Sequence, residues 1–217
     1  MCEADQRQGG AEKPRQRKSG FYTAARVLAA ILFHTLAPVR YHHAERVAGQ
    51  PPFIVIANHE SFMDPIIMGY LIKQQDVTFL GKKELVNNRV ASMVLRNMHI
   101  IPVERHGTDM AAMRACNQAL RDGCILGIFP EGTRHHKGLM EEIEAGVAMI
   151  ALRSGAPLIP MYITPKLRLL HRTDCYVGEP IPTDDLRAQG INRDSCQALL
   201  ERITSTYATM AADTARP

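Results

Sequence analysis

The sequence predicts an α/β fold: a mixed, largely parallel sheet flanked by helices, with an N-terminal membrane-interfacial helical segment. Three observations predict it. Short, β-branched, wholly apolar runs recur from Phe53 onward, as strands buried on both faces require. Segments of about ten to fifteen residues with helical periodicity separate these runs. A basic stretch followed by an apolar one precedes the first run.

Residues 1–20 read as a basic tail, in which "KPRQRK" (Lys13 to Lys18) carries four positive charges and no acid. Two readings stand: a flexible tail, or a patch that meets anionic phospholipid headgroups. The apolar run Ala24 to Val39 has 16 residues, with Arg26 and His34 inside it and Pro38 near its end. It falls short of the ~20 apolar residues a spanning helix needs. A signal peptide shares the basic-then-apolar order, but Glu3, Asp5, Glu12 and the interrupting Arg26 weigh against one. Phe21, Ala24, Leu28, Ile31, Thr35 and Val39 lie at helical spacing along one side. Segment 21–48 is therefore expected to lie in the headgroup region of a membrane; the alternative is a helix packed on the domain.

An α/β domain is expected over 49–217. "FIVIA" (Phe53 to Ala57) is a buried strand, and a helix starts at Asp64 with Pro65 in its first turn. "VTFL" (Val77 to Leu80) is a second strand, and 83–97 a helix. "HIIPV" (His99 to Val103) is a strand whose proline points to an irregular or an edge position. The next helix has Thr108 as a possible cap, Met110, Met113, Cys116 and Leu120 at helical spacing, and Gly123 at its end. "ILGIF" (Ile125 to Phe129) is a buried strand, Glu141 to Gly155 a helix, and Leu158 to Ile163 a strand. "TDCYVGEP" (Thr173 to Pro180) carries another strand, and the last long segment, Arg193 to Ala212, reads as a helix with Leu199, Leu200, Ile203, Tyr207 and Met210 on one face.

Composition is that of a globular protein, with 46% hydrophobic and 22% charged residues and a net charge of +4. No nucleic-acid partner is expected. The five cysteines are odd in number and widely spaced, without a C-x-x-C, so neither a disulfide framework nor a metal site is expected. The adjacent histidines of "YHH" (Tyr41 to His43) and "HHK" (His135 to Lys137) read as solvated loop residues.

Polar clusters follow four of the strands, and ligands of such sheets collect at the carboxyl ends of strands. "NHESFMDP" places His59 and Asp64 five residues apart. On one continuous helix they would diverge, so pairing requires His59 on the turn and Asp64 reaching back from the helix start. A paired carboxylate would leave the other ring nitrogen to take a proton from an alcohol. The competing reading is a capped turn, with Asp64 as helix N-cap. "FPEGTR" (Phe129 to Arg134) offers a tight turn at Gly132 and an arginine fork suited to phosphate, or simply a charged turn. "GKKEL" supplies Lys82, able to hold a phosphate or an oxyanion, and "IPVER" supplies Arg105.

Taken in order, "NHESFMDP", "GKKEL", "IPVER", "FPEGTR" and "GAPLIPMYI" resemble the glycerolipid acyltransferase family, and within it the 1-acyl-sn-glycerol-3-phosphate acyltransferases. The resemblance runs from about Pro52 to Ile163. It implies that His59 is the general base and Asp64 its partner. It implies that Arg105 and Glu131, Gly132, Thr133 and Arg134 bind the glycerol-phosphate acceptor, and that the block around Pro160 serves the donor side or the fold. It also implies an α/β domain seated on a membrane by N-terminal helices, membrane-associated at the cytoplasmic face. Two positions depart from the family pattern: "IEAG" (Ile143 to Gly146) stands where a basic Phe-Lys-x-Gly element is usual, and Glu104 where aspartate or a small polar residue is common.

The expected reaction moves an acyl group from acyl-CoA or acyl-carrier protein to the sn-2 hydroxyl of lysophosphatidic acid, giving phosphatidic acid for phospholipid biosynthesis. Arg105 and Arg134 would hold the acceptor phosphate, Glu131 would orient the loop or a glycerol oxygen, and Lys82 or a backbone N–H would stabilise the oxyanion. No cofactor or metal is needed, because a thioester is already activated. The alternatives are a glycerol-3-phosphate or other lysophospholipid acyltransferase, a thioester hydrolase, and a non-catalytic lipid-binding module.

Overall fold

Ile54–Ala57 (β2) and Ile125–Ile128 (β5) are apolar strands with every residue buried, and they lie side by side in the middle of the sheet. The structure, a computed structural model, describes residues 20–35, 37–82, 99–103, 109–132, 138–164 and 171–215. The remaining described strands are Val39–His42 (β1), Val77–Lys82 (β3), Ile100–Val103 (β4), Leu158–Ile163 (β6) and Thr173–Val177 (β7). Their order across the sheet is β1-β7-β6-β2-β5-β3-β4. Every neighbouring pair is parallel except β6 and β7. The mixed, largely parallel sheet is as expected, and Pro102 does sit on an edge strand, where its missing N–H leaves no gap in a ladder.

The helices are Gly20–Thr35 (α1), Asp64–Leu71 (α2), Met110–Arg121 (α3), Ala145–Ser154 (α4), Asp184–Ala188 (α5) and Arg193–Thr214 (α6). Alternate residues of the central strands build two cores. Phe53, Val55 and Ala57 pack with α1 and α2, whereas Ile54 and Ile56 pack with α3, α4 and α6. The chain leaves β2 through α2 and crosses over β5 to reach β3. It leaves β5 through α4 and crosses over β2 to reach β6. Two adjacent parallel strands thus send the chain in opposite directions on opposite faces, which opens a crevice at their carboxyl ends.

Several local expectations shift. The cap of α3 is Asp109, whose carboxylate accepts the N–H groups of Ala111 and Ala112; Thr108 lies outside the described residues. Helix α4 begins at Ala145, not near Glu141, because Met140 is left-handed (φ 54°) and Glu144 is extended. Gly155 ends it in the left-handed conformation, as expected. The expected helix over 83–97 lies outside the described residues. Strand β1 had no counterpart in the sequence reading, and it falls inside the segment 21–48 expected at a membrane. His42 on that strand is no solvated loop residue: its Nε2 is 2.7 Å from Asp174 Oδ1 and its ring stacks on Tyr176 at 4.2 Å. His135 and His136 lie outside the described residues.

Helix α1 packs on α2 through Tyr22, Ala29 and Phe33, which are buried. Arg26, the charge inside the apolar run, donates to the Gln75 carbonyl (3.3 Å) beyond α2 and to the carbonyls of Gly69 (3.1 Å) and Ile72 at the C-terminal end of that helix. Those carbonyls have no partner within the helix, and the guanidinium supplies one. The outer side of α1 carries Val27, Leu28 and Ile31, all more than half exposed. No helix among the described residues is long and apolar enough to cross a membrane.

Candidate active site

The crevice is built from the chain just beyond β2 and β5. Where β2 ends, Asn58 continues the ladder with its side chain. The buried amide donates to the Ile163 carbonyl at 2.9 Å and accepts the Ile163 N–H at 2.8 Å. One side chain thereby stands in for a backbone pair, so the chain can turn away from the sheet at His59 without stranding a buried polar group.

His59 Nδ1 lies 2.9 Å from Asp64 Oδ2. The imidazole sits on the turn and Asp64 is the first residue of α2, the arrangement that the five-residue spacing demanded. The expected helix N-cap is not what Asp64 does. The position before α2 is Met63, without a side-chain cap, and the carboxylate points back toward the strand. Its Oδ2 accepts the N–H groups of Glu60 and Ser61, both at 2.7 Å, and its Oδ1 accepts the Ser61 hydroxyl at 2.9 Å. Asp64 is 1% exposed, so a charge there needs these donors. The His59 side chain keeps 18% of its surface exposed, which leaves the pair open to a substrate on one side.

The second loop comes from β5. Phe129 stacks on the His59 ring with centroids 4.3 Å apart and planes 25° from parallel. Glu131 is 5% exposed; its Oε2 accepts the His59 N–H at 2.9 Å and its Oε1 accepts the Met140 N–H at 3.0 Å. Gly132 turns the chain with φ of 62°, and a Cβ there would stand 3.2 Å from the Glu144 side chain. A side chain at this position would be both strained and crowded. Behind the site, the Tyr207 hydroxyl of α6 is shared between the carbonyls of Ile56 (2.7 Å) and Met161 (3.2 Å), bridging β2 and β6. Burial pushes that hydroxyl far up, as burial followed by the charges of Asp64 and Asp174 does for the Cys175 thiol. Both groups are neutral neighbours of the carboxylates.

Of the residues singled out in the sequence, the structure brings His59, Asp64, Glu131 and Gly132 together. Lys82 ends β3, paired in register with Val103, and its side chain lies outside the described residues. Arg105, Thr133 and Arg134 also lie outside them. The contribution of Phe129 was not foreseen, although its place at the head of "FPEGTR" was the available signal. No group of metal-binding side chains occurs among the described residues.

A histidine held by a buried carboxylate can take a proton from a hydroxyl or from water, and it sits where ligands of open α/β sheets bind. Fold and site are those of an α/β enzyme with a histidine–carboxylate centre. The chain belongs to the Acyltransferase family, whose model matches residues 38–164. Among its relatives, the 1-acyl-sn-glycerol-3-phosphate acyltransferase of Streptococcus pneumoniae is 26% identical over 195 residues, covering 86% of this chain and 72% of the relative. The enzyme of that name from Bacillus subtilis is 29% identical over 122 residues, 56% of this chain and 60% of its own length. The human 1-acyl-sn-glycerol-3-phosphate acyltransferase alpha is 26% identical, and 58% of its length is covered. The crystal structure of the 1-acyl-sn-glycerophosphate (LPA) acyltransferase from Thermotoga maritima shares the fold, with a TM-score of 0.62 at 22% identity over 91% of this chain and 79% of that one.

Proposed function

We propose that the protein transfers an acyl group from an acyl thioester to the sn-2 hydroxyl of 1-acyl-glycerol-3-phosphate, making phosphatidic acid. The observation that carries this is the 2.9 Å contact of His59 Nδ1 with Asp64 Oδ2, which leaves Nε2 as the proton acceptor. The names of the relatives supply the acceptor class.

In the proposed step, His59 Nε2 takes the proton of the acceptor hydroxyl as its oxygen bonds to the thioester carbonyl. Asp64 stabilises the imidazolium that forms. The tetrahedral intermediate then expels the thiolate, which recovers the proton from His59. The acceptor hydroxyl is itself the nucleophile, so no acyl-enzyme is required. Lys82 or a backbone N–H would face the oxyanion, and Arg105 and Arg134 would hold the acceptor phosphate. The donor is acyl-CoA or acyl-carrier protein. The outer face of α1, with Val27, Leu28 and Ile31 exposed, and Phe62 at 77% exposure between His59 and Asp64 support work at a phospholipid surface. We assign that surface to the cytoplasmic side, where thioester donors are supplied.

The test is product analysis by mass spectrometry with mixed thioester donors and a panel of lysophosphatidate, glycerol-3-phosphate, other lysophospholipids and water. Phosphatidate formation by the wild type, lost in His59→Ala with the fold intact, is the expected result. Preferred acylation of another acceptor would replace the substrate, and thioester loss without acceptor at the same rate would make the protein a hydrolase. Vesicle binding with no turnover would leave a lipid-binding module.

A further inference from the structure

We propose that Phe129 and Glu131 are positioning residues for His59, and that Glu131 holds the loop bearing the base instead of touching the acceptor. This rests on the role of His59 in the acyl transfer proposed above.

Glu131 is buried, and each of its oxygens accepts a main-chain N–H: Oε2 from His59 at 2.9 Å and Oε1 from Met140 at 3.0 Å. The first bond joins residues 72 apart in the chain, across the crevice between β2 and β5. The second anchors the carboxylate to a segment that is itself fixed. Met140 is fully buried, and its carbonyl accepts the Thr204 hydroxyl of α6 at 3.2 Å. An acceptor hydroxyl would have to compete with two main-chain amides that already occupy the carboxylate oxygens.

His59 is consequently located from several directions. Asn58 pins the residue before it to β6, Glu131 pins its own N–H, Asp64 faces Nδ1, and Phe129 lies against the ring. These contacts act on different degrees of freedom. Glu131 sets where the Cα stands, Phe129 sets the plane of the imidazole, and Asp64 sets its rotation within that plane. A base must be held within a few tenths of an ångström of its proton-transfer geometry to work. "FPEGTR" then divides in two: its first half steadies the base, and its last residues remain for the acceptor.

The test measures kcat and acceptor KM for the full chain in detergent, as wild type, Glu131→Gln and Phe129→Leu. Glutamine keeps the shape but turns an NH2 group toward one of the two main-chain donors. The expected result in both variants is a tenfold or greater fall in kcat with the lysophosphatidate KM within threefold, and recovery in Phe129→Tyr, which keeps a flat ring. A KM raised more than threefold in Glu131→Gln, with or without loss of kcat, places Glu131 against the acceptor and overturns the proposal, as does a smaller loss of kcat. Should Glu131→Gln not fold, Glu131→Asp, which keeps a carboxylate on a shorter stem, is read by the same split. Nitrogen-15 spectra of the His59 ring separate this inference from the function. The wild type is expected to show a slowly exchanging Nδ1–H held by Asp64, broadened or lost in both variants. An unchanged signal overturns the positioning role even if the wild type acylates no lysophospholipid.

Discussion

The carboxylate that faces the His59 ring also folds the turn that carries it. Asp64 Oδ2 lies 2.9 Å from His59 Nδ1 and accepts the N–H groups of Glu60 and Ser61 with the same oxygen. Orientation of the ring and conformation of its loop are set by one residue. Asp64→Asn is expected to lower kcat by roughly 10²- to 10⁴-fold, because the amide cannot stabilise an imidazolium. It should also lower the melting temperature, since an NH2 group then faces one of the donors that Asp64 accepts from. Steady-state kinetics with a thermal melt measure both. A Ser61→Ala change, which removes only the hydroxyl bond to Oδ1, should leave most of the activity.

Asn58 replaces a backbone pair at the end of β2, and both ends of its amide are engaged by Ile163. Asn58→Ala strands the Ile163 N–H and carbonyl in the interior, which costs about 1–3 kcal/mol per unsatisfied group. Urea denaturation should show a lower midpoint with an unchanged slope. Asn58→Asp should be worse than alanine, because a carboxylate oxygen would face the Ile163 carbonyl.

Gly69 of α2 lies hard against α1: a Cβ there would stand 2.5 Å from the Tyr22 hydroxyl oxygen. Tyr22 is buried and its hydroxyl accepts the Val77 N–H, so the ring has little room to retreat. Gly69→Ala is expected to destabilise by about 1–3 kcal/mol through overpacking. Tyr22→Phe removes the clashing oxygen, so the double variant should recover part of the loss. A double-mutant cycle with a strictly additive result would mean that α1 does not rest on Gly69.

Arg202 of α6 donates to both oxygens of Asp185 in α5, at 2.9 and 2.8 Å. These hydrogen bonds hold the Asp185 carboxyl down at about 2. A carboxyl lowered in the folded state stabilises above its unfolded value, near 4, and that contribution is lost as pH falls through the folded value. Melting temperatures of wild type and Asp185→Asn should therefore differ above about pH 4, with the wild type higher, and converge toward about pH 2. The site is exposed, so added salt should shrink the difference.

Much of the architecture was legible because it is written locally. An apolar run such as "FIVIA" fits a buried strand and little else, and helical spacing with a terminal glycine marks α4. What escaped was what depends on distant partners. "VRYH" has neither the length nor the apolar continuity of a buried strand. It becomes β1 because Thr173 to Val177, more than a hundred residues later, offers an edge to pair with. Ala24, Leu28, Ile31 and Thr35 do lie on one exposed side of α1, but Val39, read into the same stripe, belongs to β1. Which side meets the domain was decided by Tyr22, Arg26 and Phe33, through contacts to α2 that no periodicity encodes.

The sequence by itself determined the order of the described strands from β2 to β7, the polar segments that follow them, and the five-residue separation that puts His59 before a helix and Asp64 at its start. Those properties reside in stretches of a few residues, where periodicity, glycine and proline act directly on the backbone. The tertiary structure decided which of those segments meet. Pairing of β2 with β5, and the departure of the chain from them in opposite directions, bring Phe129 onto the ring of His59 and Glu131 onto its N–H. Of the two roles open to Glu131, orienting its loop or a glycerol oxygen, the contacts made by its buried carboxylate are those of the first, because burial between two loops leaves it amides to accept from.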